Sequence, residues 1–405
     1  MATLSFTLMA NLLKRTYENP EKVFYRERAM LGMINKKTNF SGADIRIPII
    51  FGQGGGVSAT FTNAQGDTTA HTDDAFVVTH ISNYALAQID GAAIDMSKDA
   101  KSQMEPVMLS VDAKWQGLAD SLAHGIYRTK AKSIGIENGT WTTPGTSLVL
   151  TDLADVNRWQ IGQVVRSAAT GTPTTLRTGS VTVSKINRVS GTITFSGAID
   201  SGIAAFAQDD VLYVDGDVNL GMSGIAEWNP ATPGTLFGVD QTVGTEVAGA
   251  QVAYATSIES TINTMMGISA GLSSSFDHIF MHPSIYAPFV TTLSSKNQYE
   301  RAQFKAVAAD GKAVAGIGYK GIIGYFDGFA APIVLDPFCP VGKMHGIRLE
   351  DATLYTNGKA PRFLDYGRGE QFVTLYNADG IEVRQGYRGN FTYRRPISAV
   401  TGTTS

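Results

Sequence analysis

The chain has 405 residues, enough for two or three domains and a sizeable core. Charged residues make up only 17% and the net charge is −3, which gives no basis for tight nonspecific binding to nucleic acid or an anionic membrane. Cys339 is the only cysteine, so an intrachain disulfide and a cysteine metal cluster are both excluded.

Residues 1–38 read as an arm with short helices over 8–18 and 23–31, broken at Asn19-Pro20. Lys14 and Arg15 follow the apolar start, the reverse of a secretory leader. No stretch reaches the ~20 apolar residues of a membrane helix. The expectation is a protein kept in a reducing cytoplasm.

Residues 43–51 (Ala-Asp-Ile-Arg-Ile-Pro-Ile-Ile-Phe) and 57–61 read as two strands flanking Gly52-Gln53-Gly54-Gly55-Gly56. Pro48 marks the first strand as an edge, and the glycines predict a flexible tip. An exposed two-stranded ribbon is marginal alone and invites pairing with another chain, which points to assembly. Residues 76–90 read as a strand returning from the ribbon, and His71, Asp73 and Asp74 as a solvated loop.

One very long amphipathic helix follows. From Ser97, a candidate N-cap, to about Ile134, the apolar residues Met104, Met108, Val111, Trp115, Leu118, Leu122 and Ile126 recur at helical spacing. Pro106 predicts a kink or a later start.

After Gly135 the composition turns to Gly, Thr, Ser and Val. Period-two runs over 147–150, 161–167, 180–189, 192–196 and 210–214 predict a small β-barrel or sandwich inserted in the chain. Mixed α/β texture follows. Helices are expected over 247–266 and from Pro283 to about Leu293. Strands are expected at 279–281, 321–326, 331–335 and 346–355, and a hairpin joins 371–376 to 381–387 across Asn377-Ala378-Asp379-Gly380.

Several patterns suggest chemistry but have simpler readings. Gly267-Ile268-Ser269-Ala270-Gly271 matches a nucleophile elbow, yet a helical pattern precedes it, so a helix C-terminus fits better. His278 and His282 are four apart but bracket a strand, and Asp209, Asp210, Asp215 and Asp217 lack the rest of a calcium loop. Gly52–Gly56 lacks the lysine of a phosphate loop. Arg384, Arg388, Arg394 and Arg395 fit ion pairs better than a DNA-binding face. No catalytic, cofactor or metal residue is assigned.

The order of arm, glycine-tipped ribbon, spine helix, mixed α/β region and returning strands resembles the major capsid proteins of tailed bacteriophages. Arg28-Ala29-Met30-Leu31-Gly32, residues 42–51 and the stretch from His278 to Tyr286 carry the local likeness. The resemblance implies an α+β protein of the Hong Kong 97-type fold. Its parts would be an arm (1–38), an extended loop (39–75), a peripheral domain with the spine (76–135), an inserted β-domain (136–225), an axial domain (226–350) and returning peripheral strands (351–405). It implies hexamers and pentamers of this chain closing into an icosahedral shell around double-stranded DNA, bound without sequence specificity. A separate scaffolding protein, a portal and a cement protein would be partners, the virion the location and the bacterial cytoplasm the place of assembly. Intersubunit candidates are Arg46, Gly52, Gly54, Gly55, Gly56, Phe61, Arg384, Arg388 and Arg394. With no lysine between Lys37 and Lys98, a loop-borne isopeptide crosslink is not expected. The insert resembles the decorations of such coat proteins; deleting 136–222 is expected to be better tolerated if it is decorative, and to give insoluble chain if it supports folding. Alternatives are an encapsulin-like compartment shell and a serine hydrolase built on Ser269.

Overall fold

The computed structural model describes residues 28–52, 54–91, 100–143, 145–170, 172, 175–272, 274–294, 323–326, 329–364, 372–375 and 378–404. Expected features at 8–18, at Ser97 and over most of 23–28 lie outside these. The arm enters the description as a short helix, Ala29–Met33, and a strand, Asn35–Lys37.

The spine is the helix Ala100–Tyr127, 28 residues or about 42 Å long at 1.5 Å per residue. It ends seven residues before Ile134. The Gly224 N–H bonds the Arg128 carbonyl there at 2.9 Å, and the chain turns toward the insert. Leu118, Leu122 and Ile126 are buried as their spacing requires, with Ala119, Ala123 and Tyr127 beside them.

The helix lies on a six-stranded sheet organised by Gly380–Tyr393. Ile81–Asp90 runs antiparallel along one side of that strand, with Gly386 opposite Tyr84. Ala352–Thr356, Arg362–Phe363 and Phe372–Thr374 pair along the other side, and Asn35–Lys37 adds parallel to Ala352–Thr356. Phe372–Thr374 with Gly380–Tyr393 is the expected hairpin, although its second strand runs six residues past Tyr387.

The ribbon pairs Asp44–Gly52 with Thr72–Thr79, Ile47 opposite Phe76. This corrects the expected return strand at 57–61: Phe61–Gly66 is a short helix at the tip, and Asp73 and Asp74 are strand residues rather than loop. Ile45, Ile47, Ile49 and Phe51 alternate onto the main core, which they share with Leu122, Trp228 and Phe391. Phe237 closes the ribbon base, its ring 4.5 Å from Trp228 and its carbonyl taking the Val77 N–H at 2.8 Å.

Between 135 and 214 six strands form their own sheet around a second core that includes Trp141, Trp159, Val165 and Phe195. Its edge strands, Gly135–Ile136 and Ser147–Val149, meet through Asn138 N–H to Val149 O at 3.1 Å and Thr151 N–H to Ile136 O at 2.9 Å. The sheet thus closes into a barrel, which removes its free edges.

A third core lies under the sheet of Ala250–Val252, Val400–Thr403, Lys343–Ile347, His278–Met281, Phe329–Leu335 and Ile323–Phe326. Three expectations are corrected here. The helix over 247–266 is Ile258–Gly271, started by Ser257, whose hydroxyl accepts the Ser260 N–H, while Ala250–Val252 is a strand. The strand over 346–355 is two strands, split where the Asp351 N–H bonds the Arg348 carbonyl at 3.1 Å. The final strand, Val400–Thr403, belongs to this sheet and not to the peripheral one.

Candidate assembly surfaces

The ribbon is two-faced because a strand alternates its side chains. With the odd-numbered apolar residues on the core, Arg46, Pro48 and Ile50 face outward, and Ile50 is 72% exposed. Phe61, at the start of the tip helix, is 82% exposed, and Val57 is exposed as well. No lysine or arginine lies between Arg46 and Lys98, so Asp67, Asp73 and Asp74 make the distal ribbon acidic.

The tip glycines are required by packing rather than by flexibility, which corrects the expectation. Gly54 has φ +76° and Gly56 φ +107°, both in the left-handed region. A Cβ on Gly54 would stand 2.5 Å from the Thr69 carbonyl oxygen. The Gly55 N–H donates to Thr69 Oγ1 at 2.5 Å. The tip is a folded knob with large apolar side chains turned outward. Gly52 marks a register shift opposite Thr72.

The other basic candidates stand elsewhere. Arg384 Nε donates to Glu382 Oε1 at 2.5 Å, and Glu382 also accepts from Gln88 Nε2 at 2.7 Å. Those two bonds, Gln88's first, hold the Glu382 carboxyl below its usual range. Arg388 reaches Tyr84 Oη at 3.5 Å. Arg394 and Arg395 line a cavity of about 490 Å³ beneath the ribbon, with Arg348, Glu350, Asp351 and Ile49. The structure therefore groups Arg46, the glycines and Phe61 on the ribbon, Arg384 and Arg388 on the peripheral sheet, and Arg394 under the ribbon.

A half-buried polar junction escaped the sequence reading. Asp152, at the start of the turn Leu153–Arg158, accepts the Ala154 N–H at 2.9 Å as its N-cap. The same carboxylate accepts from Arg128 Nη2 at 2.7 Å and from the Val341 N–H at 3.1 Å. One barrel residue thus ties the spine's end to the axial region. Arg128 also lies 2.7 Å from Asp155, yet burial outweighs that attraction and raises the Asp155 pKa to about 6. Burial lowers Arg158 to about 10, and its guanidinium donates to the Ser133 carbonyl. Nearby, Asp336 accepts from Met30 N–H at 3.0 Å, Tyr127 Oη at 3.0 Å and Phe338 N–H at 2.9 Å. The only local signal was Asp152 ahead of a turn, since its partners lie 24 and 189 residues away.

Ser269 sits inside a helix, fully buried. Its hydroxyl donates to the Ser274 carbonyl at 3.0 Å and accepts the Phe276 N–H at 3.2 Å, fastening the helix end to the next strand. His278 bonds Asp277 and His282 bonds Ser284, so the two imidazoles have separate partners. Asp210 takes Arg177 at 2.6 and 2.8 Å and Ser167 at 2.9 Å. Among the described residues no group of three His, Cys, Asp or Glu could hold a metal, and no helix is long and apolar enough to cross a membrane.

No protein-family model and no curated protein matches the sequence. Solved structures do. A chain of the cyanophage A-1(L) capsid asymmetric unit aligns over 98% of this chain and 97% of its own, with 13% identity and a TM-score of 0.58. A capsid chain of a native GTA particle aligns over 96% and 94%, at 10% identity and TM-score 0.47. A holo-SrpI encapsulin from Synechococcus elongatus aligns over 100% and 96%, at 7% and 0.47. Near end-to-end alignment with the cyanophage capsid chain gives this chain the α+β Hong Kong 97-type fold of tailed-phage major capsid proteins.

Proposed function

We propose that the chain is the major capsid protein of a tailed phage, assembling as hexamers and pentamers into the icosahedral shell that encloses double-stranded DNA. The observation that carries this reading is the ribbon knob. Natural monomers keep large apolar groups off exposed edges, whereas here Ile50, Val57 and Phe61 project from a fold otherwise known from capsids. The knob seats on a neighbouring copy, and many weak contacts of that kind close a shell through multivalency. A separate scaffolding protein, a portal and a cement protein complete the particle, and DNA is enclosed without sequence readout. Assembly takes place in the bacterial cytoplasm and the product is the virion. The role is structural, not catalytic: Ser269 spends its hydroxyl on the backbone of 274 and 276.

The test is a double variant, Val57→Asp with Phe61→Asp. The chain should stay folded while closed particles disappear from electron micrographs, and normal particles from this variant would sink the proposal.

A further inference from the structure

A polar cavity of about 330 Å³ lies between the spine helix and the barrel. Its size is at the lower end of the ~300–1,000 Å³ usual for small-ligand sites. Lys114 and Asp120 wall it from the spine, and Arg158, Gln163 and Asp217 from the barrel side, with Lys132 between them. The two carboxylates already have cations. Asp120 accepts from Arg28 Nε at 2.8 Å, and Asp217 lies 2.8 Å from Lys132 Nζ. Lys114 and Arg158 have no ion pair among the described residues.

Arg158 is the telling residue. It is half-buried, and its one side-chain hydrogen bond among the described residues goes to the Ser133 carbonyl. Asp155 and Asp217 act on it from farther off, yet burial outweighs them and brings its pKa down to about 10. A guanidinium drawn out of water without a partner anion costs free energy, which a bound anion would remove. The uncharged lining agrees. Gln163 Oε1 accepts the Gln160 N–H at 3.2 Å, which leaves Gln163 Nε2 as a donor. Gly117 lets the barrel come close to the spine, since a Cβ there would stand 3.3 Å from Gln160 Nε2. A carboxylate offers two coplanar oxygens. A phosphate group offers oxygens in tetrahedral directions, so it can take donors from the spine and from the barrel together.

We propose that this cavity binds a phosphate group, with Lys114 of the spine and Arg158 of the barrel as its cationic contacts and Gln163 Nε2 as a further donor. The bound group is a second link between spine and barrel, after the bond from Arg128 to Asp152. Its charge-assisted hydrogen bonds supply the affinity. The site does not depend on the shell: it stands for a free chain as for an assembled one.

Isothermal titration calorimetry of the unassembled full chain tests it, with inorganic phosphate as titrant at neutral pH and fixed ionic strength. One saturable site per chain is expected, with a Kd of ~1 mM or tighter. Lys114→Gln should weaken binding at least ~10-fold through the loss of a charge-assisted hydrogen bond, and Arg158→Gln at least as much. Lys114 is exposed, so its variant keeps the fold even where Arg158→Gln does not. Arg394→Gln alters a guanidinium in the separate cavity beneath the ribbon and should bind like the parent. Deoxyadenosine monophosphate is the second titrant. Equal affinity for it assigns a phosphate carried on a small molecule, and binding of inorganic phosphate alone assigns the free ion; both uphold the site. No saturable heat from the parent with either titrant, or an affinity unchanged in Lys114→Gln, would overturn the proposal.

Discussion

Replacing Asp152 with alanine tests how firmly the barrel is built into the rest of the chain. The carboxylate caps Ala154, accepts the Val341 N–H and pairs with Arg128, at 2.9, 3.1 and 2.7 Å. Loss of the cap costs about 1 kcal/mol, and loss of the Val341 bond about another 1 kcal/mol. Removing one of the two carboxylates that neutralise the half-buried Arg128 costs ~1–2 kcal/mol; the full ~3–5 kcal/mol of an unpaired buried charge does not apply, because Arg128 is partly solvated and Asp155 remains at 2.7 Å. The total is about 3–4 kcal/mol, a large share of the ~5–15 kcal/mol that holds a domain folded. Urea titration of unassembled chain, followed by tryptophan fluorescence, reads this through Trp141 and Trp159 in the barrel and Trp228 in the main core. The midpoint should fall by about 1 M. Asp215→Ala is the control: its partner Arg166 lies 3.7 Å away and the pair is largely exposed, so the shift should be negligible. A change below ~0.5 kcal/mol in Asp152→Ala would refute the junction. The same links mean that deleting 136–222 strips Arg128 of both carboxylates and removes Met222 from the main core, so that chain should be insoluble rather than merely undecorated.

Other predictions concern the tip, acid response and surface charge. Gly54→Val places a Cβ against the Thr69 carbonyl at positive φ; it should cost ~1–3 kcal/mol locally and show as faster exchange over 54–70. Burial lowers the His345 pKa to about 3, so the stability this group contributes is present above pH ~6.5 and lost as pH falls toward 3. Asp155 has the opposite sign: its raised pKa of about 6 means the folded chain gains stability as pH falls from ~6 to ~4. Asp155→Asn should therefore lose stability more steeply than the parent between those pH values, and His345→Gln less steeply, as urea midpoints at pH 7, 5.5 and 4.5 would report. Arg384→Ala takes one of the two side-chain donors from the buried Glu382 carboxylate, leaving Gln88, and should lower the unfolding midpoint by the equivalent of ~1–2 kcal/mol.

What could be read from the sequence was the local periodicity. The spine was legible because Leu118, Leu122 and Ile126 share one helical face, and the first ribbon strand because Ile45, Ile47, Ile49 and Phe51 alternate. Its partner was misplaced because Thr72, Asp73 and Asp74 carry little strand signal, whereas Val57 to Phe61 imitates one. The run from Gly346 to Tyr355 hid its break at Arg348–Asp351 because apolar residues flank the turn. The pairing of Ala250–Val252 with Val400–Thr403 spans about 150 residues, and no local rule announces it. The barrel was legible strand by strand, but its attachment through Asp152 was not, because three partners from distant segments meet only after folding. The candidate arginines were visible as charges, yet their separation into three places depends on the sheet twist and register that the fold supplies.

The central claim is that this chain builds a closed shell through its ribbon knob. Negative-stain electron microscopy of the chain, alone and with its candidate scaffold, beside sedimentation of the same samples, tests that most directly. Closed particles hundreds of ångströms across, lost when Val57 and Phe61 both become aspartate, are the predicted result. A monodisperse monomer or dimer in both samples would contradict it.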